Sequence, residues 1–176
     1  LTKCKELIEK FGGHPMAAGL SIKEDNIDLL REKINSICNL TEEDFLPVVR
    51  IDSPLKVEYL DYEILDTIER MKPYGKANTS PLFAAKDLEL DRIWILGKEK
   101  NVLKIRFKYN LNGSLSYVDG ISFDQLINFK EAYEDAYSEY EYEMAVNTSY
   151  IKGKVDVIYY PSINEFNGNK SIQLVI

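Results

Sequence analysis

The chain has 176 residues, 45% of them hydrophobic and 29% charged, with a net charge of −7. That length accommodates one large or two small domains, each with its own core, and the composition is that of an ordinary globular protein. The acidic balance argues against indiscriminate nucleic-acid binding, no apolar run approaches the roughly 18 residues of a membrane span, and no signal-peptide pattern opens the chain.

Residues 1–10 have the pattern of the end of an amphipathic helix, with Cys4, Leu7, Ile8 and Phe11 on one side. The chain thus begins inside a helix and without Met, so a piece of a longer, cytoplasmic protein is expected. Gly12 is placed to stop that helix. The stretch 11–19, FGGHPMAAG, then holds the only histidine, His14, and three of the nine glycines. Adjacent glycines let backbone N–H groups approach an oxyanion without a Cβ in the way, and His14 adds a side-chain donor beside them. Pro15 fixes φ and favours an extended His14. The same residues also suit a plain glycine turn between a helix and a strand, with His14 merely exposed.

A strand over 16–22 and a helix over about 26–39, capped by Asp25, follow. Ile27, Leu30, Ile34 and Ile37 form the apolar stripe of that helix. Residues 41–44 resemble a short capped turn that ends at Pro47. A β-rich run at 48–51 precedes a second helix over about 59–71, with Ile64, Leu65, Ile68 and Met71 inward. Pro73, Gly75, Asn78 and Pro81 then interrupt regular structure, which puts a domain boundary there: 1–76 and 77–176. Tyr74 in this break reads either as a stacking platform or as a packing plug. Cys4 and Cys38 have no CxxC partner, and with a single histidine they do not make a metal-ligand set. Both read as small apolar residues on helix faces.

From residue 82 the pattern is β, with strands expected over 82–88, 92–96, 102–109, 116–123, 154–160 and 171–176. Gly97, Asn112-Gly113 and Asn167-Gly168 mark turns. Many short strands in under 100 residues suggest a small closed barrel, with a helix crossing over within 124–149. Residues 130–143 in that crossover carry six acids, one lysine and four tyrosines, which is either a solvated helix face or an acidic mimic of DNA. Residues 102–109, VLKIRFKY, alternate most regularly. Leu103, Ile105, Phe107 and Tyr109 point one way and Lys104, Arg106 and Lys108 the other. The cationic side is either a nucleic-acid contact or a soluble outer face that resists edge pairing.

FGGHPMAAG resembles the signature of the DHH-associated domain of DHH-superfamily phosphoesterases. KPYGKANTSP at 72–81 and INEFNGNKSIQLVI at 163–176 resemble, in the same order, segments of the RecJ family of single-stranded-DNA-specific exonucleases within it. The three segments span nearly the whole chain. Thr79 stands where that family usually has proline, and Val102 where it usually has histidine.

What the resemblance implies is an α/β piece of a DHH-associated domain followed by an all-β OB-fold barrel with a crossover helix, together the C-terminal part of the enzyme. It also implies 5′-to-3′ digestion of single-stranded DNA in repair and recombination. Manganese or magnesium would be held by a DHH domain that this sequence lacks, so the piece alone is expected to bind no metal and to cut nothing. Gly12, Gly13 and His14 would contact phosphate, and Lys104, Arg106 and Lys108 would contact DNA. Single-stranded DNA, the enzyme's own DHH domain, and repair proteins such as a single-strand-binding protein or helicase are the implied partners, with no membrane. A single-strand-binding OB module without catalysis, and a DHH phosphoesterase acting on short RNA or cyclic dinucleotides, are the competing readings.

Overall fold

A computed structural model describes residues 1–14 and 17–176. They form two compact units, Leu1–Val48 and Val49–Ile176, and the boundary expected at 76/77 falls inside the second of these.

In the first unit, Thr2–Leu7 is a 3-10 helix, shorter than the helix expected over 1–10, and the chain becomes extended at Ile8. Gly12 does not stop a helix. It lies within β1 (Lys10–His14), which pairs antiparallel with β2 (Ala17–Ser21) in the register Gly12↔Gly19 and Gly13↔Ala18. Two consecutive glycines weaken a helix by about 1 kcal/mol each relative to alanine, and here they are part of the hairpin ladder instead. The φ restraint expected from Pro15 and the strand start expected at Met16 lie outside the described residues. A 3-10 turn, Glu24–Asn26, leads into α1 (Ile27–Ile37). The expected Asp25 cap is absent: Asn26 holds the N-cap position, and its side chain donates to the Leu7 carbonyl at 3.1 Å. Cys4, Ile8 and Leu30 make a small core with Leu7 and Ile22 against it. Of the expected α1 stripe only Leu30 is buried, and Ile27, Ile34 and Ile37 are exposed. Cys38, just past the end of α1, is exposed as well, so Cys4 alone serves as a core residue. Thr41 and Asp44 form a reciprocal capping box on the 3-10 turn Glu42–Phe45, as the sequence suggests.

The second unit begins with β3 (Ser53–Pro54), which lies just beyond the run expected to be a strand at 48–51 and pairs parallel with Phe83 and Ala84. α2 (Tyr62–Arg70) is capped by Asp61, whose carboxylate accepts from the Ile64 N–H at 2.8 Å. It buries Leu65 and leaves Met71 exposed. The Tyr74 hydroxyl donates to the Ile68 carbonyl at 2.6 Å, which anchors the ring to α2 instead of offering it as a platform. Asn78 donates to the carbonyls of Met71 and Pro73 at 2.9 and 3.0 Å, closing this turn without the family's proline at Thr79.

Five strands then close a ring: β4 (Phe83–Leu96), β5 (Val102–Leu111), β6 (Ser114–Ser122), β7 (Lys154–Phe166) and β8 (Asn169–Val175), in the order β4-β5-β6-β8-β7 and back to β4. β4 takes in both strands expected over 82–88 and 92–96. Register shifts between Ala85 and Leu88 and between Leu90 and Arg92, with Asp87 at φ 57°, bend it so that it serves β7 with one half and β5 with the other. β6 and β8 are parallel and the remaining pairs of the ring antiparallel, the Greek-key closure of an OB fold.

The crossover holds two helices in place of one, α3 (Leu126–Ala136) and α4 (Glu139–Thr148), the second capped by Ser138. Tyr133 and Tyr142 of the acidic segment are buried, and Tyr137 lies 4.7 Å from Tyr133. These tyrosines pack, while Tyr140, Glu131, Asp135, Glu139 and Glu143 are exposed and Glu134 is partly buried beside Lys130. Inside the barrel, Ile93, Phe107, Tyr159 and Leu174 are wholly buried, and the Tyr159 hydroxyl donates to the Leu55 carbonyl at 2.8 Å. Gly120 makes room for them, since a Cβ there would stand 2.7 Å from both Phe107 and Ile176. No described helix is long and apolar enough to cross a membrane.

Candidate functional site

Alternation along β5 does what its sequence demands. Leu103, Ile105 and Phe107 enter the core, so Lys104, Arg106 and Lys108 emerge together on the outer face. They do not emerge as free cations. The register sets Asp119 of β6 directly across from Arg106, and Glu89 of β4 across from Lys108. Cross-strand neighbours of opposite charge at that spacing pair. Arg106 Nε and Nη2 reach the two Asp119 oxygens at 2.7 and 3.2 Å. Lys104 Nζ reaches the same carboxylate at 2.9 Å, and Lys108 Nζ reaches Glu89 at 2.9 Å. The expected row of three unpaired charges is therefore a ladder of ion pairs.

These contacts set the ionisation of the face. Partial burial disfavours the charged form of Asp119, but hydrogen bonds from Arg106 and Lys104 outweigh it and hold the carboxyl below the usual carboxylate range. Asp119 in turn raises Arg106, and Glu89 raises Lys108. At neutral pH Asp119, Arg106 and Lys108 are therefore charged.

Sequence reasoning left the aromatic members of this face unnamed, and register supplies them. Trp94 of β4 lies opposite Lys104, with Lys104 Nζ and Arg106 Cζ 5.6 and 5.5 Å from its ring centroid. Arg92, two residues back, stacks 3.6 Å above the Tyr150 ring and donates to its hydroxyl at 2.7 Å. Tyr117 of β6 is exposed opposite Lys108. Cations beside aromatic rings on a strand surface match what a single strand offers, phosphates along a backbone and bases with π-faces. Each base stacked on a ring contributes about 1–3 kcal/mol. A signal was available in the sequence: Arg92 and Trp94 alternate with the core residues Ile93 and Ile95 in the same way that Lys104 and Arg106 do in β5.

In the first unit, Gly12, Gly13 and His14 are consecutive in β1 and all exposed. Gly13 has φ 150°, where a Cβ would lie 2.3 Å from the Ala17 carbonyl oxygen and 2.5 Å from Ala18 Cα, whereas a Cβ at Gly12 would meet nothing within 4 Å. Gly13 is thus required by its own hairpin, and the open surface is at Gly12 and His14, which project from the same face of the strand. Among the described residues no group of three or more His, Cys, Asp or Glu side chains is placed to hold a metal.

Strand order and outer-face chemistry together put the second unit in the class of OB-fold barrels, whose second and third strands, here β5 and β6, receive oligonucleotides. The chain belongs to the RecJ OB domain family, which residues 51–176 match, while residues 1–40 match the DHHA1 domain. The single-stranded-DNA-specific exonuclease RecJ of Bacillus subtilis (strain 168) is 28% identical over 178 residues, covering 100% of this chain and 20% of that protein. The protein of the same name from Haemophilus influenzae is 31% identical over 172 residues, covering 97% and 26%. The chain therefore spans about a fifth to a quarter of the length of these relatives. RecJ from Thermus thermophilus in complex with Mg2+ superimposes with a TM-score of 0.66 at 18% identity, over 99% of this chain and 23% of that one. Its complex with Mn2+ gives 0.58 at 19%, over 99% and 22%.

Proposed function

We propose that the chain is the strand-holding portion of a RecJ-like exonuclease that digests single-stranded DNA from its 5′ end. The observation that carries this reading is Trp94 flanked by Lys104 and Arg106 on the strands where an OB barrel receives oligonucleotides. In it, the β4–β5–β6 face grips phosphates and stacks bases behind the scissile bond. In the first unit, Gly12 leaves room for close approach of a phosphate and His14 offers it a side-chain donor, while Gly13 preserves the hairpin that presents them.

The residues here do not fit a divalent metal, because no donor cluster is present among those described. Hydrolysis in this reading belongs to a DHH domain elsewhere in the intact enzyme, and this piece alone does not cut. Repair proteins are its further partners.

The test is a salt series with a labelled oligo-dT followed by fluorescence anisotropy. Binding is expected to be micromolar or weaker, since the face carries Glu89, Asp91 and Asp119 beside Arg92, Lys104, Arg106 and Lys108. Joint replacement of Lys104, Arg106 and Lys108 by alanine should flatten the slope of log K against log salt by ~2 units, at ~0.7 for each of three single-strand phosphate contacts. An unchanged slope would put the DNA on another surface.

A further inference from the structure

We infer that Asp119 is a built-in competitor for phosphate, so that a nucleic-acid strand binds this face by exchange: a backbone phosphate replaces the Asp119 carboxylate on Arg106 and Lys104. This rests on the β4–β5–β6 face being the strand-binding surface and specifies how that surface works.

The geometry is that of a site occupied by its own substitute ligand. Arg106 commits Nε and Nη2 to the two Asp119 oxygens, the same planar fork that recognises a phosphate through two oxygens. Lys104 closes on the second oxygen at 2.9 Å. One carboxylate therefore holds the donors of two cations, and a phosphate cannot take that fork while Asp119 keeps it. The other pairs on the face are weaker obstacles. Glu89 pairs with one cation, Lys108, among the described residues and is half exposed, and Asp91 approaches Arg92 no closer than 3.8 Å. Asp119 is less open, its side chain 23% exposed, with Lys104 at 30% and Arg106 at 40%. The pair is thus partly shielded from solvent, where charge–charge contacts are screened less than at an open surface.

Exchange has a kinetic consequence for an enzyme that advances along a strand. When a phosphate leaves, Asp119 takes its place, so the cations are never left partly desolvated without a partner. Departure is then cheaper than it would be from a bare cationic pocket. Asp119 lowers affinity and speeds release together.

Asp119→Asn keeps the shape and removes the charge. In the 176-residue chain it should tighten binding of oligo-dT on the order of tenfold. It should slow dissociation while changing the salt slope by no more than ~0.7, one contact's worth, because the exchanged complex already holds phosphate on Arg106 and Lys104. The same substitution made on top of Lys104→Ala with Arg106→Ala should bring no gain. A gain that persists without those cations would mean general relief of acidic repulsion and overturn the exchange. Unchanged or weaker binding by Asp119→Asn, while Lys104→Ala with Arg106→Ala weakens binding, would overturn the exchange and leave the face as the binding surface. If neither variant alters binding, the surface assignment fails and the exchange with it. A measurement that needs no variant follows the Arg106 Nε–H resonance of the unmodified chain by NMR: it should shift on saturation with oligo-dT, and a fixed resonance in the bound state overturns the proposal.

Discussion

Replacement of Gly13 by valine is expected to abolish strand digestion by the intact enzyme, with His14→Ala lowering kcat by a factor on the order of 10² or more. The two losses have different origins. At Gly13 the backbone sits at φ 150°, and any Cβ meets the Ala17 carbonyl and Ala18 Cα well inside contact distance. Both obstacles are main chain of the paired strand, so no rotamer relieves them, and the hairpin has only a small core of Cys4, Ile8 and Leu30 near it. His14 is an exposed side chain at the end of β1, so its removal is expected to leave the fold intact and, in the proposed role, to delete a donor to transition-state charge. Gly12→Ala separates the two effects. A Cβ there meets nothing within 4 Å, so a fall in activity with an unchanged melting curve reports close approach of the substrate. Steady-state kinetics with parallel thermal melts decide these cases. Near wild-type kcat in His14→Ala would reduce His14 to a solvent-facing strand residue.

Phe107→Ala should cost about 3–5 kcal/mol of stability, the largest effect expected from a single truncation in the barrel. Phe107 is wholly buried, in the strand between β4 and β6, and Gly120 carries no side chain where the ring passes. Truncation leaves a cavity bordered by that glycine, which has no side chain to fill it. Urea denaturation measures the loss, and a change below about 1 kcal/mol, well short of the usual cost of emptying a core site, would mean that the β5 ring does not centre the core. Oligonucleotide binding should weaken in parallel, because Arg106 and Lys108 flank Phe107 in the chain and depend on β5 for their positions.

The parts of this fold that sequence reveals are those governed by local rules. Inward Leu103, Ile105 and Phe107 follow from a period of two. The Asn112-Gly113 and Asn167-Gly168 turns take positive φ at both positions, 52° and 85° in one and 50° and 79° in the other, the requirement of the two-residue hairpin turn they signal. The Asn112-Gly113 turn also sets register, placing Leu111 against Ser114 and so Arg106 against Asp119 and Lys108 against Tyr117. What sequence hides is register across the longer connection between β4 and β5, which brings Trp94 opposite Lys104.

β4 looked like two strands because the register shifts around Asp87 and Asp91 interrupt its alternation, although they bend the strand and do not end it. In the first unit the FGGHPMAAG signature was legible but its conformation was not: paired glycines suit a turn as readily as the hairpin strand they occupy. The α1 stripe shows a complementary limit, since periodicity in Ile27, Ile34 and Ile37 marks an apolar face without stating what it packs against.

The most direct test of the strand-binding face uses the chain's single tryptophan. Trp94 stands between β5 cations on that face, so its intrinsic fluorescence reports from the proposed contact without a label. Titration with oligo-dT should quench Trp94 emission to a plateau, salt should restore it, and the Lys104→Ala, Arg106→Ala, Lys108→Ala variant should lose most of the quenching at the same oligonucleotide concentration. Binding seen by anisotropy while Trp94 emission stays constant would contradict the assignment of this face to single-stranded DNA.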